Sequence, residues 1–525
     1  MKISHKKLPI DISTFETIIT GDYLYVDKTE YIYQLVTTGR YYFLSRPRRF
    51  GKSLLVSTLK ELFNNKKELF EDLWIAKSDY KWEKYPIIQL DFSIIPHLSA
   101  HEFRNNLNHY LITIAQDFHL TLPANSDTPE ATLYNLARLT HEQMGKLVIL
   151  IDEYDKPILD HLDKTPTGTC EYREVLKSFY TVIKGIDAYV HFVLLTGVSK
   201  FTKTSIFSGL NNLNDISMKP EAAALLGYTE AELKTYFSDY IADVARARKT
   251  SKTTIINEMQ VWYNGYRFSR QKLKVYNPFS VLYYLKDKEL GNYWFETGTP
   301  AFLIELLKQQ YEYLDNIEDI EWSSEGLGSF DIDELNLVTV LFQTGYLTIH
   351  DYNPHTRKYL LDYPNMETRE SFKKYIISAL VNASSYAVEK ATSQLATALN
   401  HNDIPNFCSA LQSLFAHIPY NLHIDQERYY HSLFQFLGSL LGLEIQSEVL
   451  TDKGRIDLVI TTHKYLYIFE FKFAKTGTEA LEQIETTRYY ERFLLKRKKI
   501  ILVGISFKRA GEKLTLDYAY KPYNS

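Results

Sequence analysis

The sequence has little that would tie it to a membrane, a secreted fold or a zinc site. Its 525 residues include only two cysteines, Cys170 and Cys408, which excludes a disulfide framework and a cysteine-based zinc site. No apolar run approaches the roughly 18 residues of a membrane-spanning helix. The N-terminal stretch MKISHKKLPIDIS lacks the apolar core of a signal peptide. These absences predict a soluble protein of the reducing cytoplasm with no membrane partner.

Internal repeats and low-complexity linkers are also missing, and the charge is nearly balanced. The formal net charge of −4 excludes a polycation. From residue 425 onward, however, 16 Lys and Arg outnumber 13 Asp and Glu, so this segment is mildly basic and compatible with nucleic acid. The length predicts about two to four domains.

Strand-like and helix-like stretches alternate over residues 1–220. The apolar runs KLVILID (146–152) and VHFVLLTGVS (190–199) are typical of strands buried on both faces. YYFLS (41–45) and PIIQLDFS (86–93) indicate two further strands. The alternation predicts a parallel α/β sheet.

The pattern changes after Pro220. Helical spacing with few breakers predicts a helical lid over 221–330. Residues 331–424 mix helix with a short β segment, and either a winged-helix-like module or a simple connector fits them. From residue 425 to 525 the pattern predicts the order α-β-β-β-α-β, a separate C-terminal α/β domain.

A phosphate-binding loop is indicated between the first strand and the helix that follows it. SRPRRFGKS (45–53) matches the motif G-x-x-x-x-G-K-[ST], except that an arginine replaces the first glycine. Backbone N–H groups from Gly51 onward can bind phosphate oxygens. Lys52 would neutralise phosphate charge and Ser53 would hold Mg²⁺. The arginines of the loop would add further positive charge; they are Arg46, Arg48 and Arg49.

Two later strand ends support nucleotide binding. LVILIDE ends in Asp152 and Glu153, which suit an Mg²⁺ ligand and a residue that polarises the attacking water in P-loop enzymes of the additional-strand class. The next apolar strand ends near Ser199, where a γ-phosphate-sensing residue is expected. Each motif alone also fits a basic turn or a capped core strand. Their order on successive strands predicts a site for ATP or another NTP.

A second candidate site lies in the C-terminal strands. Glu470 and Lys472 are two residues apart in YLYIFEFKF, so both point to one face of the sheet. A two- or four-residue turn centred on His463 and Lys464 places Asp457 opposite Glu470.

The preceding hairpin has a second facing pair of acids. A turn centred on Asp452 and Lys453 places Glu448 opposite Asp457. Three neighbouring carboxylates, Glu448, Asp457 and Glu470, would repel one another unless a cation intervenes, and oxygen-rich sites suit Mg²⁺ or Mn²⁺. With a lysine on the same face, the pattern predicts metal-assisted phosphodiester hydrolysis. A surface hairpin with scattered charges remains the alternative.

Ile456-Asp457 followed by Glu470-Phe471-Lys472 resembles the PD-(D/E)XK nuclease core. The whole chain resembles the bacterial AAA-ATPase-like family with a C-terminal nuclease of this type, through KLPIDISTFETIITGDYLYVDKTEYI, SRPRRFGKS and LIDEYDKP. The resemblance implies a restriction-endonuclease-like domain in which Asp457 and Glu470 bind metal and Lys472 is catalytic. It also implies that Glu427 stands beside the metal. Gln483 and Tyr489 are similar to the Gln…Tyr pair of some subfamilies.

The sequence therefore predicts an α/β multidomain protein, a P-loop NTPase with a helical lid joined to a PD-(D/E)XK domain. Its main functional hypothesis is an NTP-regulated, Mg²⁺-dependent nuclease acting on DNA, which by analogy suits genome defence or mobile-element processing. The alternatives are an ATP-dependent switch whose inactive nuclease fold binds nucleic acid or a protein, and a DNA-binding regulator acting through residues 331–425. DNA versus RNA, ATP hydrolysis versus binding, and homo-oligomer formation stay open.

Overall fold

The chain divides into two compact units in the computed structural model. One comprises Met1–Phe302 and Glu318–Thr368, and the other comprises Leu303–Ile317 and Arg369–Ser525. No helix among the described residues is long and apolar enough to cross a bilayer. The described residues are 6–162, 166–201, 206–207, 209–295, 303, 306–307, 310, 317, 319–328, 335–416, 427–438, 440–451, 454–510 and 513–523.

A five-stranded parallel sheet is the centre of the first unit. Its strands are β1 (Tyr41–Ser45), β2 (Ile87–Asp91), β3 (Leu147–Asp152), β4 (Val190–Gly197) and β5 (Asn214–Asp215), in the order β2-β3-β4-β1-β5. Because β4 lies between β1 and β3, the sheet has the additional strand expected of this NTPase class. The predicted parallel sheet is confirmed.

Alternate residues of the central strands enter two separate hydrophobic cores. Tyr41 and Phe43 of β1 belong to one core, whereas Tyr42 and Leu44 belong to the other. Successive side chains of a strand point to opposite faces, so both faces of the sheet are buried under helices. The helices of this region are α1 (Phe15–Thr20), α2 (Thr29–Thr38), α3 (Lys52–Phe63), α4 (Ala100–Asp117), α5 (Pro129–Met144), α6 (Lys156–Leu159) and α7 (Pro166–Gly185), with short 3₁₀ helices at Lys67–Phe70, Trp74–Lys77, Asp187–Tyr189 and Pro220–Ala222.

A helical segment follows the sheet, as the spacing after Pro220 predicts. Thr229 and Glu232 form a reciprocal capping box at its first helix. Asn277 caps its last helix, ahead of a proline at the first helical position. These helices are α8 (Glu230–Tyr236), α9 (Ser238–Ala247), α10 (Lys252–Tyr263) and α11 (Pro278–Asp287).

The first unit ends in a small antiparallel sheet. Its strands β6 (Ile320–Ser323), β7 (Thr348–Asn353) and β8 (Lys358–Asp362) have the order β6-β8-β7. Pairing thus crosses the predicted boundary between the lid, 221–330, and the connector, 331–424, because β8 pairs with both β6 and β7. The connector is also divided between the two units, after Thr368. Two short helices accompany this sheet, α12 (Ser324–Gly328) and α13 (Leu337–Thr344).

The second unit is a five-stranded mixed sheet with helices. The strand order is β13-β12-β11-β10-β9, and only the β11–β12 pairing among those described is parallel. Its strands are β9 (Glu444–Thr451), β10 (Gly454–Thr461), β11 (Tyr465–Phe473), β12 (Lys499–Ala510) and β13 (Lys513–Pro522). Its helices are α14 (Met366–Leu380), which begins in the first unit, α15 (Ser385–His401), α16 (Ile404–Phe415), α17 (Glu427–Gly438) and α18 (Gly477–Thr487), with a 3₁₀ helix at Tyr489–Lys496.

The predicted order α-β-β-β-α-β omits β13, which pairs antiparallel with β12 at the edge of the sheet. The segment KLTLDYAYKP alternates between polar and apolar residues, with Ala519 as the one departure, so the signal for this strand was available in the sequence. Tyr518 and Tyr520 are 36% and 41% exposed, as suits an edge strand.

Candidate functional site

The phosphate loop joins β1 to α3. Gly51, the residue before the helix, has φ +94°, in the left-handed region that favours glycine. Arg49 also has a left-handed φ of +66°. The Lys52 ammonium group is buried and donates to the carbonyl oxygens of Arg46 at 3.1 Å and Pro47 at 3.2 Å. The loop therefore curls around the lysine side chain that the sequence assigns to phosphate.

Arg46 does not add charge to this loop. Its guanidinium group is 1% exposed and donates to the carbonyl oxygens of Ser217 at 2.6 Å and Ala222 at 2.8 Å. It also lies 4.1 Å from the ring centroid of Phe268. Burial lowers the pKa of Arg46 to about 9, partly opposed by Asp215. This corrects the expectation for Arg46, which stabilises the backbone behind the loop instead.

A cavity of about 480 Å³ opens beside the loop. The residues that line it include Gly51, Lys52 and Ser53 and the acids Asp91 and Glu153. Phosphate-loop residues together with a mainly apolar wall suit a phosphorylated ligand that carries a base. The apolar part of the wall includes Ile12, Leu24, Tyr25, Val26, Leu226, Phe279 and Leu282.

Asp91 and Asp152 end neighbouring strands; Asp91 is among the described residues that line the cavity, and Asp152 is not. Asp91 and Asp152 are partners in the β2–β3 register, and Glu153 follows directly. Asp152 is buried; its Oδ1 accepts from the Thr196 hydroxyl and, at 3.1 Å, from the backbone N–H of Glu153. Asp91 is a cavity residue that was not predicted, although an acid at the end of a strand was the available signal.

Ser199 and Arg49 differ in their relation to the cavity. Ser199 is 1% exposed and is not among the described lining residues. Its backbone N–H donates to Asp155 at 2.6 Å and its carbonyl accepts from Tyr154 at 2.9 Å. Arg49 does line the cavity, with its guanidinium nitrogen 3.8 Å from Asp11 and its carbon 4.9 Å from the Phe279 ring centroid.

The two C-terminal hairpins have the predicted registers. Leu458 pairs with Phe469, so the next residues, Asp457 and Glu470, face each other. The pairs Ile456↔Val449 and Leu458↔Ser447 put Glu448 opposite Asp457. Both registers are confirmed, and the side chain of Glu448 lies outside the described residues.

The described backbone pairing between β10 and β11 ends at Leu458. Beyond it, the side chain of Asp457 makes the next contact between the two strands. Oδ2 of Asp457 accepts a hydrogen bond of 2.8 Å from the backbone N–H of Phe471. Glu470 is 1% exposed, and its Oε1 accepts from Lys472 Nζ at 2.9 Å and from the Gln483 amide. The acids, the lysine and Gln483 therefore meet on one face of the sheet.

A glycine allows α18 to reach that face. Gly504 on β12 is the register partner of Glu470. A Cβ atom on Gly504 would lie 2.3 Å from the Gly477 carbonyl oxygen and 2.4 Å from the Leu481 nitrogen, both in α18. The missing side chain thus lets the helix approach closely enough for Gln483 to contact Glu470.

Comparison with known proteins identifies both parts of the chain. A family model described as Predicted AAA-ATPase matches residues 9–207, and one described as PD-(D/E)XK nuclease superfamily matches residues 425–515. A protein of Azotobacter chroococcum mcd 1, described as Uncharacterized protein in vnfD 5'region, is 36% identical over 519 residues and covers 97% of each chain. The chain belongs to this AAA-ATPase-like family with a C-terminal PD-(D/E)XK domain.

Solved structures with a likeness to the AAA-ATPase-like chain include two archaeal proteins. Cdc6p from Pyrobaculum aerophilum has 12% identity and a TM-score of 0.23, covering 70% of this chain and 92% of its own. The ORC2 protein of Aeropyrum pernix, solved in ADPNP–ADP complexes, has 13% identity and a TM-score of 0.23, covering 64% and 87%.

The acids of the PD-(D/E)XK domain fit a divalent metal by their chemistry. Asp457 and Glu470 are adjacent carboxylates, the oxygen ligands that Mg²⁺ and Mn²⁺ prefer. Among the described residues no group of three or more candidate ligands is assembled. The side chains of two predicted members, Glu448 and Glu427, lie outside the described residues, and Glu427 is the first residue of α17.

Proposed function

We propose that this AAA-ATPase-like protein is an NTP-regulated, Mg²⁺-dependent nuclease that hydrolyses phosphodiester bonds of nucleic acid, with DNA as the substrate. The observation that carries the proposal is the facing pair Asp457 and Glu470, with Lys472 Nζ 2.9 Å from Glu470. Phosphodiester hydrolysis requires oxygen ligands for a divalent cation and a positive charge near the phosphate. These side chains supply both.

The roles of the residues follow from their positions. Asp457 and Glu470 would hold Mg²⁺ or Mn²⁺, which when bound supplies positive charge at the scissile phosphate and acidifies a water molecule. Lys472 would orient the attacking water and offset the negative charge of the phosphate. The water oxygen bonds to phosphorus as the bond to the leaving oxygen breaks. The water proton passes to solvent, and the leaving oxygen takes up a proton from solvent to become a hydroxyl group. Glu448 and Glu427 are proposed as further members of this site.

The NTP, proposed to be ATP, would occupy the cavity beside the phosphate loop. The cavity volume of about 480 Å³ falls in the usual range for small-ligand sites. Lys52 would exchange its two carbonyl partners for phosphate oxygens, and Arg49 and the loop N–H groups would add contacts. Ser53 and Asp152 would hold the Mg²⁺ of the nucleotide, and Glu153 would polarise the attacking water.

A cleavage assay with the full chain tests the nuclease. Wild-type protein is incubated with linear, circular and single-stranded DNA, in Mg²⁺, Mn²⁺ or EDTA, with and without ATP. We expect metal-dependent cleavage that is lost in Asp457→Asn, because one metal ligand loses its charge, and retained in the matched exposed control Glu482→Gln. The Lys52→Ala variant shows whether cleavage depends on the proposed NTP site. A parallel assay with RNA shows whether the protein prefers DNA.

The assay separates this proposal from its alternative. Cleavage that survives Asp457→Asn and EDTA would contradict the metal-dependent site. Folded protein that binds DNA but cleaves nothing in any of these conditions would favour the ATP-dependent switch with an inactive nuclease fold. The observation that favours this second candidate is the phosphate loop, in which Arg46 replaces the first glycine of the motif. Such a loop suits a switch that binds ATP and hydrolyses little or none of it.

A further inference from the structure

A buried carboxylate follows the two acids at the end of β3. Asp155 is fully buried, in the turn between β3 and α6. Its Oδ2 accepts hydrogen bonds from the backbone N–H groups of Val198 at 3.1 Å and Ser199 at 2.6 Å, both at the end of β4. Its Oδ1 has no hydrogen-bond partner among the described residues. Through these two hydrogen bonds the Asp155 side chain links the turn after β3 to the end of β4.

Further contacts join the same two segments. The backbone N–H of Tyr154 donates to the Thr196 carbonyl at 3.0 Å, and the Tyr154 hydroxyl donates to the Ser199 carbonyl at 2.9 Å. Gly197 leaves room for both side chains, since a Cβ there would lie 2.6 Å from Asp155 Oδ1 and 2.5 Å from the Tyr154 ring. The turn after β3 and the end of β4 therefore form one packed piece.

The turn also carries Glu153, in a conformation that needs support. Glu153 has φ +53°, a left-handed value that is uncommon for a residue with a side chain. Its side chain belongs to the wall of the cavity. Strained backbone at a site persists only when the surrounding structure holds it. Asp155, two residues later, provides such a hold.

We propose that Asp155 is a positioning residue for ATP hydrolysis, which fixes the turn that directs Glu153 at the attacking water; this rests on the proposed nucleotide function. In that reaction the water oxygen bonds to the γ-phosphorus while the bond to the β,γ-bridging oxygen breaks. The products are ADP and inorganic phosphate, and the water proton passes to the Glu153 carboxylate. Asp155 touches neither nucleotide nor water and acts through the turn.

Steady-state ATPase kinetics of the full chain test the proposal, together with the Kd of a non-hydrolysable ATP analogue. We expect Asp155→Ala, which removes the acceptor of both N–H groups, to lower kcat by about tenfold or more, because small misplacements of a catalytic group are costly. The KM and the analogue Kd should stay within about twofold of wild type, because the contacts that bind the nucleotide are unchanged. Asp117→Ala, on the exposed end of α4, is the matched control. Gly197→Ala, which crowds Asp155 and Tyr154, should lower kcat in the same way.

The outcomes separate this inference from the function on which it rests. A folded Asp155→Ala with wild-type kcat overturns it, and so does a rise in KM and Kd without a fall in kcat. Wild-type protein that binds the analogue but does not hydrolyse ATP overturns it while leaving the nucleotide site intact. Wild-type protein that neither binds the analogue nor hydrolyses ATP overturns both this inference and the proposed nucleotide site.

Discussion

Oδ2 of Asp457 accepts a hydrogen bond of 2.8 Å from the backbone N–H of Phe471, on the neighbouring strand. Asp457 lies directly beyond the described β10–β11 ladder, so its carboxylate uses an N–H group that would otherwise be available to a backbone carbonyl. The hydrogen bond fixes one carboxylate oxygen beside Glu470. The proposed metal ligands are thereby oriented by the sheet itself rather than by a loop.

Gln483 should support cleavage without touching the metal, since its amide and Lys472 hold Oε1 of Glu470. Gln483→Ala is expected to lower metal-dependent cleavage by about ten- to a hundredfold, the usual effect of removing a partner that orients a metal ligand. The measurement is the initial cleavage rate as a function of Mg²⁺ concentration. Glu482→Ala, on the exposed side of α18, should match wild type. Equal rates for both variants would contradict the role of Gln483.

Gly504→Ala should destabilise the second unit. The added Cβ would lie 2.3 Å from a backbone oxygen and 2.4 Å from a backbone nitrogen of α18, atoms that move only with the helix. We expect a loss of about 1–3 kcal/mol in the free energy of unfolding, measured by chemical denaturation. Gly185→Ala is the control, because nothing lies within 4 Å of its Cβ position. A Gly504→Ala variant with the wild-type free energy of unfolding would show that α18 can shift freely.

Restoring the glycine of the phosphate-loop motif should harm the protein. Arg46→Gly removes the side-chain donor to the Ser217 carbonyl and one of two donors to the Ala222 carbonyl, which also accepts from the backbone N–H of Leu225. A buried group left without a partner costs about 1–3 kcal/mol. Thermal and chemical denaturation should both show the loss. Arg49→Gly should leave stability unchanged or raise it, since φ at Arg49 is +66° and glycine tolerates that value. A stable Arg46→Gly would contradict the structural role of Arg46.

The stability of the first unit should depend on pH through Asp155. Burial and, next, the charge of Glu153 raise the pKa of Asp155 from its ordinary 3.8 to about 7, and the hydrogen bond from Ser199 and the charge of Lys52 oppose this rise. Because the folded state holds the proton more tightly, this contribution to stability is complete below about pH 4. It declines as pH rises to about 7, by about 1.4 kcal/mol for each pH unit.

Asp155→Asn tests this dependence because asparagine carries no ionisable group. Denaturation of wild type and variant in EDTA, at several pH values between about 4 and 8, should show the variant gaining relative stability as pH rises. Parallel pH profiles for the two proteins would rule out the raised pKa of Asp155.

The sequence predicts those parts of the fold and the site that depend on local periodicity. The register that joins Asp457 to Glu470 follows from alternation along two strands and an even-numbered turn, so short-range rules suffice. The phosphate loop is similarly recognisable, because its residues are contiguous and lie between a strand and a helix.

Features that depend on contacts distant in sequence are the ones that sequence analysis misses. Arg46 bonds to residues more than 170 positions away, so nothing near it in the chain indicates a buried role. Asp91 reaches the cavity only through the pairing of β2 with β3. The division after Thr368 likewise depends on which sheet the hairpin β7–β8 joins, which is a tertiary choice.

The wall of the cavity in the first unit has a consequence for local opening of the chain. It is assembled from stretches as far apart as Pro9, Lys52, Glu153, Leu226 and Leu282. A molecule bound there contacts all of them at once and binds only while all are in place, so every local opening that separates them must first release it. Amide hydrogen exchange would then slow together in these distant stretches, as if they formed one cooperative segment.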